Sequence, residues 1–439
     1  MVETARYRLV MRTNPVLDQL GAYPIAEIQD TARRMRDAGE KLIDFSIGDP
    51  YEPTPSFIRD AVRAAVPEVT QYPQTAGLAV LREAVAGYAD RRFGVEIDPT
   101  TQVMPVSGAK EAIFSTPFGF IDPSGEDVVA WGTPTYPAYE RGTRFAGAVA
   151  MPIVLSGDFV LRVGDVPDSA WERLRLLWVC TPHNPTGAVT SRDDLAALYS
   201  KCRETDTLLL SDEAYGDVYA DQPPTSVLEV ADSGMTGALA FFSCSKRSGM
   251  TGYRSGAVVG DPAAIEVLRR LRSSVGVASP EFVQEAAAAA WADDLHAAER
   301  REIFSAKRRV MRQGFESAGL EVVGSEAGLY LWLKVEDDLA ATKRLLGEGV
   351  VVSPGRAFGP GGEGHVRLAL VPTVDECAAA VEVVVRALAG GVSDVEGGAE
   401  ASLARTQDEG APKGAFEDED AARGVTGRSE RAKRRRSGH

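Results

Sequence analysis

Several absences narrow this chain before any motif is considered. Among 439 residues no uninterrupted apolar run reaches the roughly 18 that a membrane span requires; the Ala-rich stretch from Ala286 stops at Asp293 and Asp294. The opening twenty residues contain no apolar h-region, so no signal peptide is expected there and a cytoplasmic location is the expectation. Cysteine is scarce: Cys180, Cys202, Cys244 and Cys377 stand apart, with no Cys-x-x-Cys pair. That spacing argues against a disulfide scaffold and against a zinc site, so no metal is expected. Basic charge is short as well, with 48 Lys and Arg against 63 Asp and Glu and a net charge of −15. A negative chain repels nucleic acid and anionic lipid, and neither is expected as a partner. The exception is the stretch from Ala421 onward, where seven bases accompany one acid, Glu430.

What is present resembles an ordinary globular protein, 44% hydrophobic and 25% charged. Composition shifts near Gly390; beyond it Leu403 and Phe416 are nearly the only large apolar residues. Residues 391–439 are therefore expected to be a disordered charged tail, a solvated appendage rather than the seat of function. Upstream, short apolar runs alternate with amphipathic stretches. Val103–Val106, Val128–Trp131, Leu176–Cys180, Leu208–Leu210, Ala238–Phe242 and Ala257–Val259 are predicted buried strands. The class is α/β, a mainly parallel sheet between helices, whose ligands bind beyond the carboxyl ends of the strands. From about residue 301 the pattern becomes a charged helix (Glu302–Ala318), strand-like Gly328–Val335, a helix near Asp338–Leu346, Val350–Ser353, Val366–Val371 and a last helix, Val374–Leu388. That predicts a large domain over 47–300 and a smaller α+β domain over 301–390, which the N-terminal segment 1–46, with helix Ile25–Ala38, joins.

Five features stand at strand ends. Ser107-Gly108-Ala109-Lys110-Glu111 is a small-residue turn opening a helix, whose free N–H groups can hold a phosphate; such turns are also common without a ligand. Trp131 to Pro137 could present Tyr136 as a stacking surface, or be an ordinary Pro-rich loop. In Thr181 to Gly187, two prolines and a glycine aim Asn184 into the strand-end crevice, or simply make a rigid turn. Asp212 ends an apolar run; a buried carboxylate there needs a partner, unless it is a helix N-cap. Lys246 follows another apolar run among small residues, with Arg254 eight positions on beside glycines. A buried lysine can serve as an amine nucleophile that forms Schiff bases.

Taken together, the order Asn-Pro-x-Gly, Asp-x-x-Tyr and Ser-x-x-Lys…Arg resembles the class I/II aminotransferases of fold type I, which use pyridoxal 5′-phosphate. The likeness spans about residues 12–390, with 28 residues from Asn184 to Asp212 and 34 from Asp212 to Lys246. It implies a seven-stranded-type sheet and a role for each matching residue. Lys246 would be the Schiff-base lysine and later proton carrier, Asp212 the partner of the pyridine nitrogen, and Tyr215 and Asn184 the partners of the ring oxygen O3′. Tyr136 would stack on the ring. The phosphate would meet the Ala109 and Lys110 backbone, Ser243, Arg254 and Tyr72 of a second subunit, which implies a homodimer with shared active sites. Arg367 would pair with the substrate α-carboxylate, and Tyr23 and Gly48 would approach the substrate. His183 receives no role.

Thr70–Leu81, Pro105–Phe114 and Ser245-Lys246-Arg247-Ser248 most resemble the N-succinyl-LL-diaminopimelate aminotransferases. That implies glutamate as donor and N-succinyl-2-amino-6-ketopimelate as acceptor, in lysine biosynthesis. The distal carboxylate of such a substrate needs a second cation, for which Arg247, Lys110 and Arg91 stand unranked. Met250-Thr251-Gly252-Tyr253 is nearer to aspartate and LL-diaminopimelate aminotransferases. A carbon–sulfur lyase or decarboxylase would share every cofactor residue. A regulator of this fold would need an N-terminal winged-helix domain, and only about 45 residues precede Gly48.

Overall fold

Thirteen strands occur among the described residues, and in chain order they are β1 (Ile43–Asp44), β2 (Val103–Val106), β3 (Val128–Thr133), β4 (Val149–Val154), β5 (Leu174–Cys180), β6 (Leu208–Asp212), β7 (Ala238–Ser243), β8 (Gly256–Gly260), β9 (Val322–Val323), β10 (Tyr330–Lys334), β11 (Val350–Val351), β12 (Ser353–Pro354) and β13 (His365–Ala369). The structure is a computed structural model that describes residues 12–20 and 26–389. Tyr23 and the expected tail 391–439 lie outside the described residues.

The large sheet has seven strands in the order β2-β8-β7-β6-β5-β3-β4. Strand β8 runs antiparallel to β2 and β7, and the remaining pairs are parallel. Its central strands are mostly apolar because both faces are covered, the exceptions being Arg175 near the start of β5 and polar residues at the carboxyl ends. Along β7, Ala238, Ala240 and Phe242 enter one apolar layer while Leu239 and Phe241 enter the opposite one. The six predicted strands form within a residue or two at either end or, like β3 and β6, run two further. The seventh, β4, is an edge strand, with Val149 47% and Val154 60% exposed and Pro152 within it. Apart from Pro152 the segment is an apolar run, and that proline, which cannot donate to a ladder, keeps it from reading as a central strand.

A second sheet, β12-β13-β10-β9, is antiparallel. Leu331, Leu333, Val366 and Leu368 pack there with Phe304, Met311 and Phe315 of helix Leu295–Ser317 and with Cys377, Ala380 and Val384 of helix Val374–Ala389. The first of these helices starts seven residues before Glu302. Asp293 accepts a hydrogen bond from the His296 N–H at 2.9 Å and so caps the earlier start. Among the described residues, no helix is long and apolar enough to cross a membrane.

Candidate active site

Strands β2, β3, β5, β6 and β7 point the same way, so their carboxyl ends share one edge of the large sheet. A cavity of about 730 Å³ opens there. Beyond β2, Gly108 has φ +85°, and a Cβ in its place would collide with the Arg254 guanidinium. Glycine thus lets an arginine lie against the N-terminus of helix Ala109–Ser115, beside backbone N–H groups that lack helical partners. Ala109, Lys110 and Arg254 all line the cavity. Beyond β7, the Ser243 hydroxyl accepts from the Ser245 N–H at 3.2 Å and caps a one-turn helix, Cys244–Arg247. That turn, rather than an open loop, presents Lys246.

The Lys246 Nζ donates to the Gly48 carbonyl. Burial lowers its pKa to about 8; Asp49 opposes this, and Arg254, Arg300 and Arg367 add to it. A fraction of the amine is therefore neutral near physiological pH, which is what a nucleophile needs. Asp212 ends β6 and is 3% exposed. It does not cap a helix: a turn follows. The Tyr139 hydroxyl donates to its Oδ2 at 2.7 Å and the Ala214 N–H to its Oδ1 at 3.2 Å. Burial raises its pKa to about 6 while those donors hold it down, leaving an anion at neutral pH that favours a cationic partner. Tyr136 lines the same cavity, its ring edge-on to Tyr139 at 6.0 Å and 5.9 Å from the Lys110 Nζ.

Arg367 enters from the second sheet, on β13. Nη1 donates to Asn184 Oδ1 at 3.1 Å and Nη2 to the Ser46 carbonyl at 2.8 Å. Its buried Nε has no partner within the described residues, a donor left over for an anion. Asn184 Nδ2 donates to the Tyr215 hydroxyl at 3.5 Å, and Tyr215 shares a 2.9 Å hydrogen bond with Tyr330. Burial pushes the Tyr215 hydroxyl well above its ordinary range, so it stays protonated. Gly48 lies against Tyr330, close enough that a Cβ would sit 2.6 Å from the hydroxyl.

Three residues proposed on other grounds lie elsewhere. Arg247 points away from the cavity: it is 3% exposed, pairs with Asp217 at 2.8 Å and Asp294 at 2.7 Å, and packs against the rings of Tyr88 and Trp291. Arg91 also pairs with Asp294. Neither lines the cavity, so of the three cations suggested for a distal carboxylate only the exposed Lys110 does. Tyr72 is fully exposed and lies outside the cavity lining. His183 is buried, bonded to Thr186 at 2.8 Å, and its pKa falls to about 4 by burial, as for a neutral core histidine. The sequence reading missed Tyr139, Tyr330 and Phe358. Tyr139 sits one helical turn after Tyr136, the only local signal among the three; the other two carry no motif.

These residues fit pyridoxal 5′-phosphate: a glycine-opened N–H turn beside Arg254 for the phosphate, a buried carboxylate for a pyridinium, and an amine of depressed pKa. Residues 40–384 match the family described as aminotransferase class I and II. The 4-dedimethylamino-4-oxo-anhydrotetracycline transaminase OxyQ of Streptomyces rimosus is 35% identical over 365 residues, 82% of this chain and 98% of that protein. An LL-diaminopimelate aminotransferase of Nitratidesulfovibrio vulgaris is 35% identical over 370 residues, 82% and 94% of the two chains. The crystal structure of an aminotransferase from Neisseria meningitidis Z2491 aligns with a TM-score of 0.80 and 32% identity, covering 86% of this chain and 100% of that one. The chain belongs to the class I and II aminotransferases and is a pyridoxal-phosphate-dependent enzyme of fold type I.

Proposed function

We propose that this aminotransferase moves an amino group between glutamate and a keto acid of the diaminopimelate series, N-succinyl-2-amino-6-ketopimelate first among them. The observation that carries this reading is the cation inventory of the cavity. Lys246 is the amine, Arg254 borders the phosphate turn and Arg367 keeps a free buried donor, which leaves Lys110 for a second, distal carboxylate. The Ser245–Ser248 resemblance supports the N-succinyl form. The LL-diaminopimelate aminotransferase relative supports the free diamino acid as a second reading.

In this reading Ala109 and Lys110 N–H groups, Ser243 and Arg254 hold the phosphate, and Tyr136 covers the ring face. When bound, the cofactor supplies an aldehyde that joins the substrate amine and a ring that draws electrons from the substrate Cα. Asp212 stays ionised and holds a proton on the pyridine nitrogen. Tyr215 donates toward the ring oxygen, with Asn184 orienting both Tyr215 and Arg367. Arg367 binds the α-carboxylate and turns the substrate so that its Cα proton faces Lys246, whose Nζ takes it and returns it elsewhere. Gly48 borders the substrate. Tyr72, exposed in one protomer, serves the phosphate of a second copy in a cytoplasmic homodimer.

The test is a half-reaction panel that follows the cofactor's visible band with glutamate, aspartate, LL-diaminopimelate, N-succinyl-LL-diaminopimelate and aromatic donors. Rapid conversion by glutamate and one diaminopimelate form supports the proposal. Conversion by aromatic donors alone, or release of pyruvate and ammonia without keto-acid consumption, overturns it.

A further inference from the structure

Tyr330 touches both chemical ends of the cavity. It opens β10, where Trp332 stands opposite Arg367 in the antiparallel register, so Tyr330 and Arg367 are diagonal neighbours on one face. The guanidinium carbon of Arg367 lies 4.3 Å from the Tyr330 ring centroid and 4.4 Å from that of Phe358. Two aromatic faces thus set its plane, a cation–π arrangement that strengthens where water is excluded. The hydrogen bonds alone leave that plane under-determined, because Nε has no partner among the described residues.

At its other end Tyr330 meets Tyr215, hydroxyl to hydroxyl at 2.9 Å, with the rings edge-on at 5.5 Å. The second partner of the Tyr215 hydroxyl, Asn184, is longer at 3.5 Å. Tyr330 is therefore the stronger influence on where that hydroxyl points. Gly48 closes over the same oxygen, and Tyr330 is 3% exposed, so the hydroxyl has no room to turn elsewhere.

We propose that Tyr330 is a positioning residue with two separable duties: its ring face fixes Arg367 for a substrate carboxylate, and its hydroxyl holds the Tyr215 hydroxyl toward the cofactor. This rests on the reading that Arg367 and Tyr215 take those partners. With Tyr330 donating to Tyr215, the Tyr215 proton is left for the cofactor's phenolic oxygen and stabilises its anion. Losing the Tyr330 hydroxyl would raise the pH at which the proton shared by that oxygen and the lysine-linked nitrogen is lost. Losing the ring frees Arg367 to swing.

The experiment compares holoenzyme carrying Tyr330→Phe or Tyr330→Leu with wild type. It reads the pH midpoint of the cofactor's visible band, the Kd of maleate (a dicarboxylate that cannot react), and kcat and KM for two amino acids. Tyr330→Phe should move the midpoint upward and lower kcat about fivefold, the weight of one hydrogen bond, with KM and maleate affinity within about twofold. Tyr330→Leu should in addition weaken maleate and raise KM for both amino acids about tenfold. Tyr330→Met, which also lacks a ring but fills the space more flexibly, replaces the leucine variant should that fail to fold. An unmoved midpoint in Tyr330→Phe, or equal loss of maleate affinity in the phenylalanine and leucine variants, overturns the division of duties. Failure of the underlying reading looks different: the wild-type enzyme itself would show no visible band or no competition between maleate and amino donors.

Discussion

The two walls of the cavity are built by different means. On the wall proposed for the cofactor, Asp212, Ser243, Lys246 and Ala109 each stand within a few residues of the end of a buried strand of the large sheet, where strand direction and a short turn dictate position. On the wall proposed for the substrate, Arg367 and Tyr330 belong to antiparallel strands, and what aims Arg367 comes from far along the chain: the Ser46 carbonyl, Asn184 and the ring of Tyr330. The first wall is set by local geometry and the second by long-range packing. Substitutions on the first should therefore act as all-or-none, and those on the second should be graded.

The largest effect tests the first wall. Lys246→Ala is expected to abolish both the visible band of the bound cofactor and all turnover, checked by spectrum and steady-state assay. Retained turnover would move the amine to another residue. Arg367→Ala, on the second wall, should raise KM for every amino acid alike. Truncating one partner of a buried, hydrogen-bonded charge pair costs about 2–5 kcal/mol, or roughly 30- to several-thousand-fold in kcat/KM. A loss confined to one substrate would place Arg367 at a distal group and erase the contrast between the walls.

Arg247 sharpens the comparison because it neighbours Lys246 yet belongs to neither wall. Its guanidinium is locked between Asp217 and Asp294 beneath Tyr88 and Trp291. Asp217 keeps Arg92 and the Tyr88 hydroxyl and Asp294 keeps Arg91, so Arg247→Met leaves neither acid alone and should cost about 3 kcal/mol of stability, the low end for a broken buried pair. Denaturant unfolding measures that cost, and KM values for diacids should stay as they were at temperatures where the variant is folded.

A smaller effect comes from the buried amine. Lys246 falls from 10.5 to about 8 chiefly through burial, so the cofactor-free folded chain holds fewer protons than the unfolded chain between those values. Stability of the cofactor-free enzyme should accordingly rise as pH climbs from about 8 to about 10.5, by no more than about 3 kcal/mol. Below about 8 the amine is charged in both states and this dependence vanishes. Urea unfolding at several pH values should show the slope, and Lys246→Met should flatten it.

The same contrast explains how much was legible in the sequence. Apolar runs ending in Asp212, Ser243 and Asn184's loop reveal the cofactor wall, because burial on both faces writes itself as continuous hydrophobicity and the chemistry follows directly after it. Spacing could not decide whether Asp212 caps a helix; the hydrogen bond from Tyr139 and the turn after it do. Tyr330 reads only as one more aromatic in a strand, since its meaning depends on a register with β13 that no local pattern encodes. Arg247 shows the converse error. Adjacency to Lys246 suggested a ligand-binding cation, but a residue one step along a helix points some 100° away, here into the protein's own acids.

Lys110 carries the smallest effect and the substrate proposal together. Its side chain is exposed and lines the cavity, so its pull on a distal carboxylate is that of a solvated ion pair, about 0.2–1 kcal/mol or at most about fivefold in KM. Lys110→Met should impose that loss on diaminopimelate-type and other long dicarboxylic substrates while leaving alanine untouched, and the gap should close as salt is raised. The backbone N–H of residue 110 survives the substitution, so the phosphate turn is not disturbed. Equal losses for short and long substrates would mean that the Lys110 charge acts on the cofactor wall instead. The second wall would then hold a single carboxylate, and a diaminopimelate-series substrate would lose its structural support.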